Sequence, residues 1–236
     1  MNNTSYPIVF KLRSGAGSLN IILVKTPKQA KYLINKMFGK GIKSSHIPSR
    51  GNLKYYDIRH FFRITGKPIV KKSLKIIGGP IWEKFQGKEN EMWEIHKNYI
   101  YFQKFLPNNE FDTRITVIGN RAFAFRRFNR KKDFRASGSG KINYEMDKID
   151  IQFLKIAFGI AQKMKFQSMA YDFLYNEKGK GEFCEISYTY DDKAVWNCPG
   201  YWDNELNWHE GHYWPQYFHL MDGLNLQDLK QPKNIE

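Results

Sequence analysis

The stretch that decides the fold is Ser168–Tyr190, which reads SMAYDFLY, then NEKGKG, then EFCEISYTY. Two apolar, aromatic-rich runs flank a short Asn- and Gly-containing turn, and this arrangement predicts a β-hairpin. Asp172 lies in the first run, and Glu185 and Ser187 lie in the second. Because side chains alternate along a strand, Glu185 and Ser187 share one face, and antiparallel pairing can bring Asp172 against them.

Two carboxylates on neighbouring strands repel each other unless a positive group lies between them. Hard divalent cations such as Mg²⁺ and Mn²⁺ prefer oxygen ligands. The hairpin therefore suggests a metal site at Asp172 and Glu185. The alternative is a solvent-exposed strand face that carries ordinary acidic residues.

Length and composition limit the classes of protein to which the chain can belong. The chain has 236 residues, of which 42% are hydrophobic and 16% aromatic, so it can form one large core or two modest ones. The absence of any apolar run of transmembrane length predicts no membrane span, and the N-terminus lacks a signal-peptide pattern. The two cysteines, Cys184 and Cys198, fit a reducing compartment, which favours a cytoplasmic location.

The charge is divided unevenly along the chain. Residues 1–140 carry 28 Lys and Arg against 8 Asp and Glu, whereas residues 141–236 carry 10 Lys against 15 Asp and Glu. A basic part and an acidic part in one chain suit a site where cations hold phosphate oxygens and carboxylates hold a metal. A generic basic surface or a nucleic-acid-binding surface is the alternative.

The N-terminal segment predicts a second hairpin. Its strands are Tyr6–Leu12 and Ile21–Lys25, and its tip is the Gly- and Ser-rich run Arg13–Ser18. Such a tip either binds an anion through backbone N–H groups or is a plain turn, and it is not a Walker A loop, since no Gly-Lys-Ser/Thr closes it. Thr26 followed by Pro27 predicts the start of a helix that runs to Phe38.

The pattern predicts further elements downstream: a buried strand at Tyr99–Leu106, a hairpin of Phe111–Ile118 with Ala122–Arg127, a helix at Ile149–Phe166 and an aromatic, turn-rich tail. Asp112 and Arg114 share one face of the first strand of that hairpin. His209 and His212 in the tail lack the HExxH spacing of zinc sites, which favours a structural role for both.

The order of these motifs resembles the ATP-grasp superfamily. The motifs are the strand with Lys11 and its glycine-rich loop, Tyr-Phe-Gln-Lys-Phe-Leu, Asp-Thr-Arg with Val-Ile-Gly, Asp-Phe-Arg-Ala-Ser-Gly-Ser-Gly, a helix, Ala-Tyr-Asp-Phe and Glu-Ile-Ser. The pattern is most similar to ribosomal-protein glutamate ligases and glutathione synthetases. The resemblance implies an α+β fold of two subdomains, 1–101 with a basic insertion and 102–236, whose antiparallel sheets sandwich the nucleotide.

The resemblance also implies roles for individual residues. The ATP-binding residues would be Lys11, Ser14, Gly15, Ala16, Gly17, Ser18, Gln103, Lys104, Phe105, Asp112 and Ser137. Metal ligands would be Asp172, Glu185 and Ser187, and the catalytic arginines would be Arg114 and Arg135. The sequence departs from the family pattern in having Ser187 where Asn is usual, Ala136-Ser137 where Ser-Asn is usual, and no preceding domain, so a partner subunit or a further domain is an open expectation.

The implied activity is an ATP-dependent carboxylate–amine or carboxylate–thiol ligase that works through an acyl phosphate, with Mg²⁺ or Mn²⁺ as cofactor. Its carboxylate and amine substrates are unidentified, and analogy suggests amino-acid addition to a peptide, protein or surface sugar. An ATP-grasp-type kinase and a catalytically reduced ATP-binding module are the alternatives. Nucleic acid is disfavoured as a partner, because no recognised nucleic-acid-binding motif is present.

Overall fold

The structure is a computed structural model that describes residues 4–13, 20–44, 95–130, 133–227 and 229–230. The described chain forms two compact units, one ending at Phe105 and the other beginning at Leu106. Both units combine helices with antiparallel strands, so the protein is of the α+β class. In the part of the chain that the structure describes, no helix is long and apolar enough to span a membrane.

The first unit contains a three-stranded antiparallel sheet in the order β2-β1-β5. Its strands are β1 (Ile8–Lys11), β2 (Ile21–Val24) and β5 (Phe102–Lys104), and helix α1 (Pro27–Met37) follows β2. The predicted N-terminal hairpin and the helix are confirmed. The Thr26 side chain accepts a hydrogen bond from the Gln29 backbone N–H, which caps the helix, and Pro27 lies in its first turn.

The prediction of a buried strand over Tyr99–Leu106 was wrong in two respects. The strand is only three residues long, and its residues are half-buried or exposed. Phe102 packs edge-on against Phe10 of β1 at 5.9 Å between ring centroids, so one aromatic residue anchors the segment. In the described part of this unit, β3 (Ile42–Lys43) also pairs with β4 (Ile95–His96), and residues 45–94 lie outside the described residues.

The second unit is built on a seven-stranded antiparallel sheet in the order β10-β9-β6-β7-β11-β12, with β8 also paired to β7. The strands are β6 (Phe111–Ile118), β7 (Arg121–Phe128), β8 (Ile142–Asn143), β9 (Ser168–Tyr175), β10 (Gly181–Ser187), β11 (Gly200–Asp203) and β12 (Trp208–Glu210). Both predicted hairpins, β6–β7 and β9–β10, are confirmed. They lie side by side, because β6 pairs with β9.

The register of the β6–β7 hairpin follows from a loop of two residues, Gly119 and Asn120. Ile118 pairs with Arg121, and Asp112 pairs with Arg127 six residues further along each strand. Gly119 has φ +55, a conformation that glycine adopts without a side-chain clash and that tight hairpin loops require.

One face of this sheet packs against helix α2 (Ile151–Met164), which confirms the predicted helix. The buried helix residues include Phe153, Leu154 and Ala157, and Phe153 stacks on Phe173 of β9 at 4.6 Å between ring centroids. A Cβ on Gly181 would collide with the Phe153 ring, so that close approach requires glycine there.

A β-bulge in β10 changes which side chains reach each face. Phe183 pairs with Phe173, but Glu185 pairs with Asp172, so Cys184 is the extra residue. Without the bulge, alternation would leave Glu185 on the same face as Phe183, the face that packs on α2. The bulge therefore brings Glu185 onto the opposite face, beside Asp172.

The segment beyond β10 forms regular elements, although the sequence analysis predicted only an aromatic, turn-rich tail there. Beyond β10 lie α3 (Asp192–Trp196), strands β11 and β12, and α4 (Pro215–Leu224). On the face of the large sheet opposite α2, side chains at one end of the sheet form a buried cluster with these elements. Its members are Ile118, Phe123, Phe125, Ala194, Val195, Cys198 and Phe218. We call this the apolar half of that face.

Candidate functional site

The other end of the same face carries charged side chains in a cross-strand row. Arg114 on β6 pairs with Asp172 on β9, and Asp172 pairs with Glu185 on β10. Asp112 pairs with Arg127 two register positions further along β6 and β7, on the same face as Arg114. We call Asp112, Arg114, Arg127 and Asp172 the charged network. On this face it borders the apolar half directly, because Arg114 and Phe125 are register partners.

The four side chains of the charged network are bonded to one another. Arg114 binds Asp172 in bidentate fashion, with Nε at 2.7 Å and one terminal nitrogen at 2.8 Å from the two carboxylate oxygens. Arg127 binds Asp112 in the same way, with both distances 2.7 Å. The same Arg127 side chain also donates to Asp172 at 2.8 Å. Arg127 therefore links both carboxylates.

Burial and these contacts shift the pKa values of the two carboxyl groups in opposite directions. Burial on its own raises the pKa of Asp172, but the charges and hydrogen bonds of Arg127 and Arg114 outweigh it and hold that pKa below its ordinary value. Burial dominates at Asp112 and raises its pKa, although Arg127 opposes the shift. Although burial opposes it, the two carboxylates also raise the pKa of Arg127, which stays charged.

The predicted metal ligands meet only in part. Asp172 and Glu185 are register partners on adjacent strands, as the hairpin predicted. The positive groups beside Asp172 are the guanidinium groups of Arg114 and Arg127. The Ser187 hydroxyl donates to the Thr189 carbonyl at 2.7 Å. Among the residues that the structure describes, no group of three or more His, Cys, Asp or Glu side chains is arranged to hold a metal ion.

The donor atoms suit a divalent cation in their chemistry, because carboxylate oxygens are the ligands that Mg²⁺ prefers. Their present bonding does not, since Asp172 is 7% exposed and both its oxygens accept hydrogen bonds from arginine. A cation would have to displace at least one guanidinium group before it reached Asp172. The assignment of metal ligands thus stays a prediction.

In the first unit, the predicted nucleotide-binding residues lie on two paired strands. Gln103 on β5 pairs with Val9 on β1, and the Lys11 backbone N–H donates to the Tyr101 carbonyl at 3.2 Å. This register puts Lys11 and Gln103 on one face, whereas Lys104 pairs with Ile8 on the other. The nucleotide-binding roles of Lys11, Gln103, Lys104 and Phe105 stay predictions, and Ser14–Ser18 lie outside the described residues.

The loop around Arg135, which was predicted to lie beside the phosphates, is stabilised by an ion pair within the loop. Arg135 forms a bidentate pair with Asp133, with contacts of 2.6 to 3.0 Å. Although burial opposes the shift, this arginine holds the pKa of Asp133 below its ordinary value. The Ser137 carbonyl accepts a hydrogen bond from Arg130 at 2.9 Å. The catalytic role of Arg135 and the nucleotide role of Ser137 stay predictions.

Arg127 was missed as a candidate site residue. In the sequence, Arg127 is only the last residue of an alternating run. It directly follows Arg126, whose side chain lies on the opposite face of the sheet against the Phe111 ring. A signal was present in the sequence. Counting outward from a two-residue loop at Gly119 and Asn120 pairs Arg127 with Asp112, whereas a three-residue loop would pair Phe128 with Asp112.

A surface groove of about 450 Å³ lies elsewhere in the second unit, and none of the predicted site residues lines it. The residues that line it are Asn109, Glu110, Phe128, Asn129, Lys141 and Ile142. Its amides serve the fold: the Asn109 amide group binds the Tyr175 backbone, and the Asn129 amide donates to the Asn109 carbonyl. We therefore take the charged network as the candidate site.

The histidines of the tail have structural partners. His209 Nε2 lies 2.9 Å from an Asp203 carboxylate oxygen, and His212 Nδ1 lies 2.8 Å from the Trp196 carbonyl oxygen. These contacts tie together the segments around β11, β12 and α3.

Comparison with known proteins gives a distant likeness in structure and none in sequence. No protein-family model matches the chain, and no curated protein matches it. Among the solved structures, a biotin carboxylase–βγ-ATP complex from Campylobacter jejuni is similar, with 11% identity and a TM-score of 0.43. The match covers 79% of this chain and 32% of that one, so this chain spans about a third of its length. At this level of similarity, the likeness assigns neither a family nor an activity to the chain.

Proposed function

We propose that the protein is an ATP-grasp-type enzyme that binds ATP with a divalent cation and joins a carboxylate to an amine or thiol through an acyl phosphate. The observation that carries the proposal is the cross-strand row of Arg114, Asp172 and Glu185 on one face of an antiparallel sheet. The motif order in the sequence supports it independently.

The residue types suit phosphoryl transfer, which depends mainly on positioning and on neutralising charge. Arginine binds phosphate oxygens in the same bidentate way as it binds carboxylates. In the proposed site, Arg114 orients the terminal phosphate and steadies the negative charge that develops when the acyl phosphate forms and when the amine attacks it. Arg127 keeps both aspartates in place.

Asp172 and Glu185 would hold Mg²⁺ or Mn²⁺, which when bound neutralises phosphate charge. Lys11, Gln103, Lys104, Phe105 and Asp112 are proposed to contact the rest of the nucleotide. We also propose that the glycine-rich loop of residues 14–18 covers the phosphates and excludes water that would hydrolyse the acyl phosphate.

A non-catalytic ATP-binding module is the second candidate. Two observations favour it: the Ser187 hydroxyl is bonded to a backbone carbonyl, and Asp172 is bonded by two arginines. Such a module would bind nucleotide but form no acyl phosphate.

Calorimetric titration with a non-hydrolysable ATP analogue, with and without Mg²⁺, tests nucleotide binding. We expect Mg²⁺-dependent binding that Asp172→Asn and Lys11→Ala abolish. The control variant Asp222→Asn removes an exposed carboxylate that pairs with Arg121, and it should keep full binding. Absence of binding at millimolar analogue, in a chain that remains folded, would refute the proposal.

Once nucleotide binding is established, trapping with hydroxylamine distinguishes a ligase from a kinase and from a non-catalytic module. With ATP and a panel of carboxylates, a ligase releases an acyl hydroxamate, because hydroxylamine intercepts the acyl phosphate. A stable phosphorylated product would instead indicate a kinase, and nucleotide binding without turnover on any substrate would favour the non-catalytic module.

A further inference from the structure

The described part of the first unit carries no acidic side chain. Its residues, 4–13, 20–44 and 95–105, include ten lysines and arginines but no aspartate or glutamate. Because these described residues contain no carboxylate side chain, their positive charges reinforce one another instead of cancelling in ion pairs. The ten are Lys11, Arg13, Lys25, Lys28, Lys31, Lys36, Lys40, Lys43, Lys97 and Lys104.

Two large apolar side chains are exposed among these cations, at the C-terminal end of α1. Phe38 directly follows the last residue of α1 and is 57% exposed, and Ile95 on β4 is 51% exposed. Lys43 on β3 is the register partner of Ile95, so the two side chains lie next to each other on the exposed face of this pair of strands. Ile42 and His96 are buried on the opposite face.

Backbone contacts hold the end of α1 against the segment that contains β4. The Asn98 N–H donates to the Met37 carbonyl at 2.9 Å. Gly41 lies so close to the side chains of Ile95 and Lys97 that a Cβ on it would be 2.7 Å from an Ile95 methyl group. The exposed side chains of this region therefore form one surface. We call it the basic surface, and it consists of Phe38, Lys40, Lys43, Ile95 and Lys97.

We propose that the basic surface docks the protein on an anionic lipid bilayer, with its lysines at the headgroups and Phe38 and Ile95 in the interfacial layer. An anionic bilayer offers negative headgroups directly above an apolar interior, and the basic surface presents the complementary combination of side chains. The proposed function uses none of these five residues, and this inference does not rest on it.

The residue types favour lipid over nucleic acid as the polyanion. All three cations of the basic surface are lysines. Lysine acts as a point charge, whereas specific recognition of phosphates and bases relies largely on the bidentate fork of arginine. Ile95 offers no ring on which a base could stack, but an aliphatic side chain enters an apolar layer as readily as an aromatic one.

Sedimentation with lipid vesicles tests the proposal. We expect the protein to sediment with vesicles of equal parts phosphatidylcholine and phosphatidylglycerol, and to stay in solution with phosphatidylcholine alone. Binding should be lost in about 1 M salt, where the screening length falls to about 3 Å. The triple variant Lys40→Gln, Lys43→Gln, Lys97→Gln should bind about tenfold more weakly or worse, because each lysine contributes separately near an anionic surface.

A second triple variant is the matched control. Lys155→Gln, Lys163→Gln and Lys178→Gln together remove three exposed lysines from the second unit, so they lower the net charge of the protein by the same amount. This control should bind the vesicles as well as the unchanged protein does. Equal losses in the two triple variants would mean that only net charge matters, which would refute docking through the basic surface.

The apolar side chains are tested separately. Phe38→Ser should weaken vesicle binding about fivefold, because the ring no longer leaves water for the interfacial layer. Tyr188→Ser is its control, since it removes an 81% exposed ring from the second unit and should leave binding unchanged. Ile95→Thr is a further test in case Phe38→Ser fails to fold, and it keeps a β-branched residue in the strand. Unaltered binding by folded forms of both variants would refute insertion.

The outcomes separate this inference from the proposed function. If the unchanged protein does not sediment with phosphatidylglycerol vesicles, docking is refuted, while Mg²⁺-dependent binding of the ATP analogue in lipid-free solution would still support the function. If vesicles fail to bind but a single-stranded oligonucleotide binds and the first triple variant loses it, the surface serves nucleic acid and the inference is wrong. Selective vesicle binding in a protein that binds no nucleotide would support docking and refute only the function.

Discussion

The two halves of one sheet face use the same strands in opposite ways. In the apolar half, Ile118, Phe123 and Phe125 are covered by side chains of α3 and α4, and Phe123 lies 6.0 Å from Phe218 between ring centroids. At the other end of the face, which holds the charged network, Arg127 and Asp172 are each only 7% exposed, yet their surroundings are polar. Both halves are largely shielded from solvent, but only the apolar half gains stability directly from burial.

This difference shows where the sheet departs from what stability alone would favour. Burying apolar surface is favourable in itself, whereas burying an ion pair removes hydration from two charges and often returns no more than it costs. Apolar residues of similar size at the positions of the charged network would give an equally stable or more stable sheet. Two buried and two half-buried charges on adjacent strands therefore point to a requirement other than folding.

The largest expected effect in this comparison follows from Arg127→Met. The substitution leaves Asp112 and Asp172 without their shared partner, and breaking a buried pair in this way costs about 3–5 kcal/mol. Urea denaturation of the purified protein would measure the loss of unfolding free energy. A loss below about 1 kcal/mol would mean that water already solvates the network and that the two halves differ less than we describe.

A double substitution sharpens the same comparison. Asp112→Leu combined with Arg127→Met removes both the cation and its bidentate partner, while Asp172 keeps Arg114. Because a buried pair replaced by apolar groups is often neutral, we expect the double variant to lose roughly 2 kcal/mol or less. Urea denaturation measured alongside the single variant would show the recovery. A double variant that is less stable than Arg127→Met would contradict our account.

The apolar half should respond modestly to a conservative truncation. Ile118 is fully buried in the cluster with Phe123 and Phe218, and Ile118→Val removes one methylene group from it. We expect a loss of about 1 kcal/mol, from lost transfer free energy and a small cavity. The loss should be the same at low and high salt, since no charge is involved. A strong salt dependence would show that the two halves are coupled.

The smallest effect is a pair of opposite changes in the pH dependence of stability. The pKa of Asp172 is lowered, so its ionised form adds stability above the ordinary value of 3.8, and that stability is lost as pH falls through the folded-state pKa. The pKa of Asp112 is raised, so stability is gained as pH falls through its folded-state pKa towards 3.8. Asp172→Asn should therefore flatten the acid loss, and Asp112→Asn should steepen it.

Urea midpoints collected between pH 6 and pH 2 would measure these slopes. Unchanged slopes in both variants, in a chain that remains folded, would argue against an asymmetric network.

Much of the fold could be predicted because its signals are local. Thr26 with Pro27 marks a helix start, and alternation marks both hairpins. The helical spacing of Phe153, Ile156 and Ile160 marks the helix that packs on them. The hairpin that carries Asp172 and Glu185 was also predicted, although their direct pairing depends on the bulge at Cys184, which the sequence pattern did not indicate. These features depend on residues within one element or one turn.

The rest depends on contacts that periodicity does not record. The tail forms β11, β12 and α4 because its aromatic residues meet Phe123 and Phe125 of a distant strand, and isolated short elements of this kind carry no strong pattern. The guanidinium partners of Asp172 come from strands 45 and 58 residues away. Carboxylates that look like metal ligands in sequence can therefore be bonded to arginines in the fold.

Because β10 contains a bulge at Cys184, the number of residues between Gly181 and Glu185 decides which face of the sheet each side chain occupies. Adding or removing one residue between Gly181 and Glu185 would exchange the faces of the side chains on one side of the change, whereas adding or removing two would restore them. The loop around Gly179 is free of this rule, because its residues do not alternate between faces. Homologous chains that conserve Asp172 and Glu185 should therefore vary in loop length without restriction, but should keep an odd residue within the strand.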